Sequence, residues 1–388
     1  MTQDFVKNRV LLTLVILLIA AGAGLAFLSH APNRLVSGQS ISFFSLLKGP
    51  GALLLLPVML QLLFSFLTPS RRNTLLVMLL AEVLLFGMTA LAGHTAVTLA
   101  GGDEDSVART SLGGGFWACA ALSLLIASDA ISRLTSNPTW RIMLNLQVIV
   151  PVILLIGSGQ LSELSLLKEY DNRSDVFNDA LWQHLGILFG TLVPAVLIGL
   201  PLGILCHRLV SWQTPILSVL NIIQTVPSIA LFGLLLAPLA GLAKAIPWLA
   251  DHGISGIGVA PAIIALVLYS LLPLVRSVIA GLDSVSSGVI ESARGMGMNR
   301  FQVFYKVQMP IALPVILTGV RIVAVQTVGM AVVAALIGAG GLGAIMFQGL
   351  LSSALDLVLL GVIPVVLMAV IVDGIFKFLV SMLETSRR

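Results

Sequence analysis

Long apolar runs separated by short polar or Gly/Pro-rich breaks follow one another along the whole chain. The first, Val10 to Leu28, has Thr13 as its ordinary polar interruption. At about 1.5 Å rise per residue, a helix over that run spans most of a roughly 30 Å hydrocarbon core. Run lengths and their charged or Pro/Gly borders give ten such segments, at about 9–29, 50–68, 73–93, 113–131, 140–158, 182–206, 213–237, 256–280, 308–337 and 355–380. Pro215 and Pro227 interrupt the seventh, making it the weakest as a single helix. The expected fold is therefore an all-α integral membrane protein with about ten transmembrane helices.

Composition agrees. Of 388 residues, 58% are hydrophobic and 10% charged, against roughly 25% charged in a soluble domain. Lys7 and Arg9 before the first run, with Ser29-His30-Ala31 after it, could mark a cleaved leader. The run exceeds the usual leader core of about 7–15 residues, so an uncleaved anchor is expected. Cys119 and Cys206 both fall in apolar segments and describe neither a disulfide framework nor a metal site. The net charge of +4 reflects topology rather than nucleic-acid binding. With the N-terminus inside, the cytoplasmic stretches hold Lys7, Arg9, Arg71, Arg72, Arg133, Arg141, Arg208, Arg294, Arg300, Lys306, Arg387 and Arg388. The opposite loops hold Asp103, Glu104, Asp105, Glu163, Glu169, Asp171, Asp175 and Asp179, with Arg34, Lys48, Arg109, Lys168, Arg173 and Lys244 spread thinly among them. Both termini are expected in the cytoplasm. Trp117, Trp140, Trp182 and Trp212 sit near span ends, as interfacial rings do.

The acidic stretch near 161–181 divides a five-span N-terminal extension, 1–160, from a second half, 182–388, whose spans are rich in Gly and Pro. Gly186, Gly190, Gly199 and Gly203 make two small-xxx-small pairs suited to close helix packing. Gln224, Thr225, Pro227 and Ser228 mark a bend whose freed carbonyl needs a partner or a water-filled cavity, which suggests a pore lining or a buried kink. Gly338, Gly340, Gly341 and Gly343 fit GxGxxG literally, but between two membrane spans they read as a flexible outer re-entrant turn or gate, not as a dinucleotide site. Glu82 lies mid-span, where a protonated or helix-bridging carboxyl is expected over a proton relay. Arg276 and Arg321 are expected to snorkel or to pair with Asp283 or Glu291, rather than to touch a substrate.

One long polar connection, 281–310, lies on the positive side between two spans. It contains Glu291-Ser292-Ala293-Arg294-Gly295-Met296-Gly297 and, further on, Val307-Gln308-Met309-Pro310. Glu291 is expected early in a short helix, where an acid complements the dipole. Gly297 can supply a positive φ, and Pro310 suits the first turn of the next span. The stretch resembles the coupling loop of ABC importer permeases, with Ser292, Val307 and Met309 as conservative replacements. Gly199-Leu200-Pro201-Leu202-Gly203, Gln224 to Ser228, Leu272-Pro273-Leu274-Val275-Arg276 and Ala335 to Gly343 look like the glycine betaine, carnitine and choline branch of that family.

The resemblance implies a bacterial inner-membrane permease that passes an osmoprotectant and couples to a separate cytoplasmic ATP-binding subunit. Glu291, Ala293 and Gly297 would carry the contact in a cleft of that subunit. It implies a periplasmic substrate-binding protein that selects the ligand, in line with the lack of an aromatic cage here. No GxxxxGK[ST] motif occurs, so no ATP chemistry is expected in this chain, and no cofactor or metal. A five-span core is too small to enclose a gated path, so a second permease copy or paralogue is expected. An ion-coupled secondary transporter is the alternative, but Asp283, Glu291, Asp356 and Asp373 lie near span ends and not at the midplane. His30, His94, His184, His207 and His252 form no metal-binding or catalytic spacing that would suggest an enzyme.

Overall fold

The computed structural model describes residues 6–33, 36–101, 107–251, 253–254 and 256–385. Arg34, Asp103, Glu104, Asp105, His252, Arg387 and Arg388, which entered the charge and histidine patterns, lie outside those residues. Among the described residues, eight helices are long and apolar enough to cross a membrane, and three shorter ones are apolar. The chain divides into two compact units, Met1–Asn172 and Arg173–Arg388.

In the first unit the opening run is not one long helix. It forms α1 (Arg9–Gly24) and then, from Leu25 in extended conformation, strand β1 (Ala26–Ala31). β1 is the middle strand of an antiparallel sheet, flanked by β2 (Gln39–Ser42) and β3 (Arg109–Leu112). A small sheet is thus added to an otherwise helical protein, and Ser29-His30-Ala31 lies in its central strand. Phe27 on β1 stacks against Phe43 and Phe116, which gives the strand an apolar floor.

After α2 (Phe43–Leu46) and a 3-10 turn, α3 (Leu55–Phe64) is shorter than the expected span. α4 (Arg71–Ala100) and α5 (Gly114–Leu134) pack as the long pair of the unit, with α1 and α3 against them. Val15, Ala81, Leu84, Met88, Ile126 and Ile131 are buried between these helices. α6 (Pro138–Gly157) lies at the margin, mostly exposed. It is tied to α4 where Gln147 Nε2 donates to both Glu82 oxygens at 2.8 Å. Glu82 therefore bridges helices through a neutral amide.

The stretch expected as a linker, 161–181, is ordered structure. α7 (Ser165–Asp171) occupies its centre, and Glu169 is only 3% exposed, facing Arg109 on β3 at 3.9 Å. Lys168 and Glu163 pair at 2.6 Å. The local alternation of acid and base lets these charges satisfy one another, so the segment up to Asn172 folds into the first unit, while its remainder opens α8 of the second.

The second unit is built on three helices: α8 (Ser174–Arg208), α12 (Val259–Asp283) and the long helix that ends in α15 (Met309–Ala334). α12 is central and is buried over most of its length. The segment expected to be one span at 213–237 is two helices, α9 (Val210–Thr225) and α10 (Ser228–Ala245). The break falls at Val226-Pro227 because proline supplies no amide hydrogen and disfavours helical geometry in the residue before it. α11 (Pro247–Asp251) leads towards α12.

After α12 come the short helices α13 (Ser287–Gly295) and α14 (Arg300–Val303). A π-helical turn, Phe304–Gln308, then joins α14 to α15 without a break, with Pro310 in the first turn of α15. The polar connection is therefore narrower than 281–310. α12 runs on to Asp283, and residues from Arg300 onwards already belong to the following helix. α16 (Leu342–Leu351) and α17 (Leu355–Thr385) close the unit and pack on one another.

Candidate functional site

Three places gather the residues singled out by sequence, all in the second unit. The first is the loop made by α13 and α14. Met296 closes α13, and Gly297 has φ +86, left-handed backbone that an L side chain adopts only at a cost. Its Cβ position is open, so the constraint there is conformational and not steric. Asn299 then caps α14 through a reciprocal pair with Gln302, both bonds at 2.9 Å. Glu291 and Ser292 are exposed, and the Ser292 hydroxyl donates to Gly288 O at 2.8 Å.

Two expectations fail in this loop. Glu291 sits in the middle of α13, because the helix begins at Ser287; it does not complement the first turn. Ala293 is 2% exposed and its carbonyl accepts the Met298 N–H, so it packs inward and is not presented at the surface. The projecting side chains are instead Met296, 73% exposed, and Phe301, 68% exposed. Phe301 stacks on Tyr305 with ring centres 4.3 Å apart, Tyr305 meets Phe304 edge-on at 5.1 Å, and the Arg208 guanidinium lies 4.7 Å over the Phe304 ring. Two apolar residues flanking a glycine in a polar connection were the available sequence signal, and it was missed.

The second place is the break between α9 and α10. Gln224 Nε2 donates to Tyr269 O at 2.9 Å, and the Tyr269 hydroxyl donates back to the Val226 carbonyl. One residue of α12 thus holds the α9 side of the kink twice. Thr225 is exposed, but its hydroxyl is turned to Ile222 O at 2.7 Å; Pro227 is exposed and Ser228 opens α10 half-buried. Gln224 is therefore part of a clamp, while Thr225 and Pro227 face out of the unit.

The third is the turn between α15 and α16. Gly338, Gly340 and Gly341 all have positive φ, at 81°, 72° and 69°. The Gly341 N–H donates to Gln183 Oε1 at 3.0 Å, and the Gly258 N–H donates to Ile337 O at 2.9 Å. One residue on, His184 Nε2 lies 3.1 Å from Val328 O, and Arg173 Nη1 donates to Gln348 Oε1 at 3.1 Å. A Cβ on Gly340 would run into the Gln183 amide, and one on Gly343 into the Val332 carbonyl. The turn is pinned to α8 and α12, a tighter arrangement than the flexible turn expected. Gln183 and His184, polar neighbours at the start of an apolar run, are the residues that pin it.

Residues 7–167 match the family described as "ABC transporter permease YehY, N-terminal domain", and residues 195–384 match "Binding-protein-dependent transport system inner membrane component". The osmoprotectant import permease protein OsmW of Salmonella typhimurium is 41% identical over 192 residues, covering 50% of this chain and 84% of that protein. The carnitine transport permease protein OpuCB of Listeria monocytogenes is 39% identical over 192 residues, covering 50% of this chain and 81% of that one. The chain belongs to the binding-protein-dependent ABC permeases. A chain of the MetNI methionine ABC transporter, solved in inward-facing conformations, also aligns, with TM-score 0.47 and 23% identity over 55% of this chain and 98% of that one.

The permease is accordingly a multi-pass inner-membrane protein. Its packing glycines lie mainly between α8 and α12. A Cβ on Gly190 would come within 2.8 Å of Ile263, on Gly199 within 2.7 Å of Leu274, and on Gly203 within 2.5 Å of Val278, whereas Gly186 meets nothing within 4 Å. The expected arginine pairings are corrected as well. Arg276 donates to Asn221 Oδ1 at 2.9 Å, Arg321 faces Asp373 at 3.4 Å, and Asp283 is held by His207 Nδ1 at 2.8 Å. Neither arginine reaches Asp283 or Glu291, because the α12 face that carries Arg276 turns towards α9, and α17 supplies a carboxylate to Arg321.

Proposed function

We propose that this permease forms, with a second permease subunit, the translocation path of an ATP-driven importer for a small quaternary-ammonium osmoprotectant. A separate ATPase docks on the α13–α14 loop, and a periplasmic binding protein delivers the solute. The observation that carries the coupling role is the loop itself: two short helices set at an angle by a left-handed glycine, projecting Met296 and Phe301 away from the unit. Apolar side chains this exposed at a short helical elbow suit insertion into a pocket on a partner. The names of the relatives OsmW, an osmoprotectant import permease protein, and OpuCB, a carnitine transport permease protein, support the substrate class.

Ion coupling is the weaker reading. Asp283 is held by His207, and Asp373 by Lys377 at 2.6 Å and Arg321 at 3.4 Å, so neither is a free carboxylate that could cycle a proton or sodium ion. The deciding measurement is uptake of labelled glycine betaine by proteoliposomes holding the permease with its native partners. ATP-dependent uptake, lost on omission of the ATPase subunit, is expected. Uptake driven by a proton or sodium gradient without ATP would overturn the reading.

A further inference from the structure

α12 surfaces at few positions. Along its last two turns Arg276, Ala280 and Asp283 are exposed, spaced i, i+4 and i+7, so they share one edge of the helix. With the end of α8 and with α9 this edge makes a seam of polar contacts rising from the loop end into the apolar interior. Asp283 meets His207 first, Arg276 meets Asn221 about 10 Å deeper, and Tyr269 meets Gln224 and Val226 beyond that. Each of these contacts matches a donor to an acceptor, but at Arg276 a full cation faces a neutral amide oxygen. A guanidinium offers five N–H donors in a planar fork, and the Asn221 bond involves one of its nitrogens. Asp283, two turns along the same edge of α12, is engaged by His207. Among the described residues no carboxylate pairs with Arg276, and a cation of this kind within an apolar span is a candidate site for an anion.

We propose that Arg276 is a transit site for the carboxylate end of a zwitterionic solute on the half of the path nearest the coupling loop. The guanidinium fork takes the carboxylate bidentately, and Asn221 positions the fork. One exposed ion contact is weak, which suits passage over retention. A solute with the same trimethylammonium group but no carboxylate gains nothing from Arg276. The proposal rests on the importer reading above and adds a residue and a substrate group to it.

The test uses the full chain reconstituted with its ATPase and binding protein, comparing ATP-driven uptake of glycine betaine, which carries a carboxylate, with that of choline, which does not. Three variants are needed. Arg276→Gln removes the charge, and Arg276→Lys keeps the charge without the fork. Asn221→Asp is nearly isosteric: it strengthens the α9–α12 contact by turning it into an ion pair, but it occupies the guanidinium. Arg276→Gln and Asn221→Asp should each slow glycine betaine uptake about three- to fivefold, what losing one exposed ion contact in a transition state gives. Choline uptake and basal ATP hydrolysis should change less than twofold, and Arg276→Lys should fall between.

Equal losses for both solutes would overturn the proposal and indicate a structural contact or a lipid phosphate at Arg276. So would normal glycine betaine uptake by Asn221→Asp, because a purely structural pair would be improved by that change. If wild type carries glycine betaine but not choline, the Asn221→Asp variant decides. If it carries choline but not glycine betaine, the carboxylate role is overturned while the importer reading stands. Uptake of neither solute by wild type sinks the importer reading itself, and this proposal with it.

Discussion

At the residue scale, the second unit depends on a few atoms placed where a larger or simpler side chain would not serve. Gly199 and Gly203 bring α8 against Leu274 and Val278 with no room for a Cβ. In lipid, where apolar association gains little from water, this close packing is what holds helices together. Gly203→Val should therefore lower stability by about 1–3 kcal/mol through overpacking, read as a fall in melting temperature in detergent. Gly186→Ala, at an open position, should leave it unchanged or slightly raised. Tyr269 makes a second prediction at this scale. Tyr269→Phe leaves the Val226 carbonyl without its donor, at a cost of about 1 kcal/mol for a hydrogen bond within a membrane protein. The kink should loosen, seen as faster hydrogen exchange over residues 223–228. The glycine spacing and the need of a proline kink for a partner were legible in the sequence. That the partner is a tyrosine 43 residues beyond Val226 was not, because a side chain's reach across helices depends on packing.

At the element scale, the α13–α14 elbow and the α15–α16 turn were both located by their glycines, since positive φ is a local backbone demand that glycine meets most cheaply. The orientation of the neighbouring side chains was not local. Ala293 turned inward because one face of the nine-residue α13 must cover the unit beneath it, while Met296 at its end and Phe301 on α14 project outward. Phe301→Ser should accordingly reduce the ATPase subunit recovered with the purified permease at least fivefold, a loss of roughly 1 kcal/mol or more at an interface anchor. Ala293→Ser, facing inward, should act through stability instead. Gly340→Leu confronts both a left-handed backbone and the Gln183 amide. It should lower uptake severely while the assembled complex is still recovered; normal uptake would show that the pinned turn is not part of the gate.

At the scale of the whole molecule, the two units coincide with two family matches, 7–167 and 195–384, and relatives such as OsmW align over half of the chain. Each unit has its own buried core, so residues 173–388 expressed without the first unit should still accumulate in the membrane and bind the ATPase. Any change in uptake then measures what the first unit adds. Loss of the protein by proteolysis would show that the extension is needed for folding.

The sequence by itself determined the membrane setting, the number of apolar segments to within a few, the division into two halves and the family, because run length, charge spacing and short motifs are properties of neighbouring residues. It could not determine where an apolar run stops being helical. Val10 to Leu28 became a helix and a strand, since β1 found partners in β2 and β3, the latter some 80 residues away. It also misassigned the charges: 161–181 folded instead of linking, and Arg276 faced Asn221 instead of an acid. Pairing across helices is decided by which faces meet, and that geometry exists only once α8, α9, α12, α15 and α17 have packed.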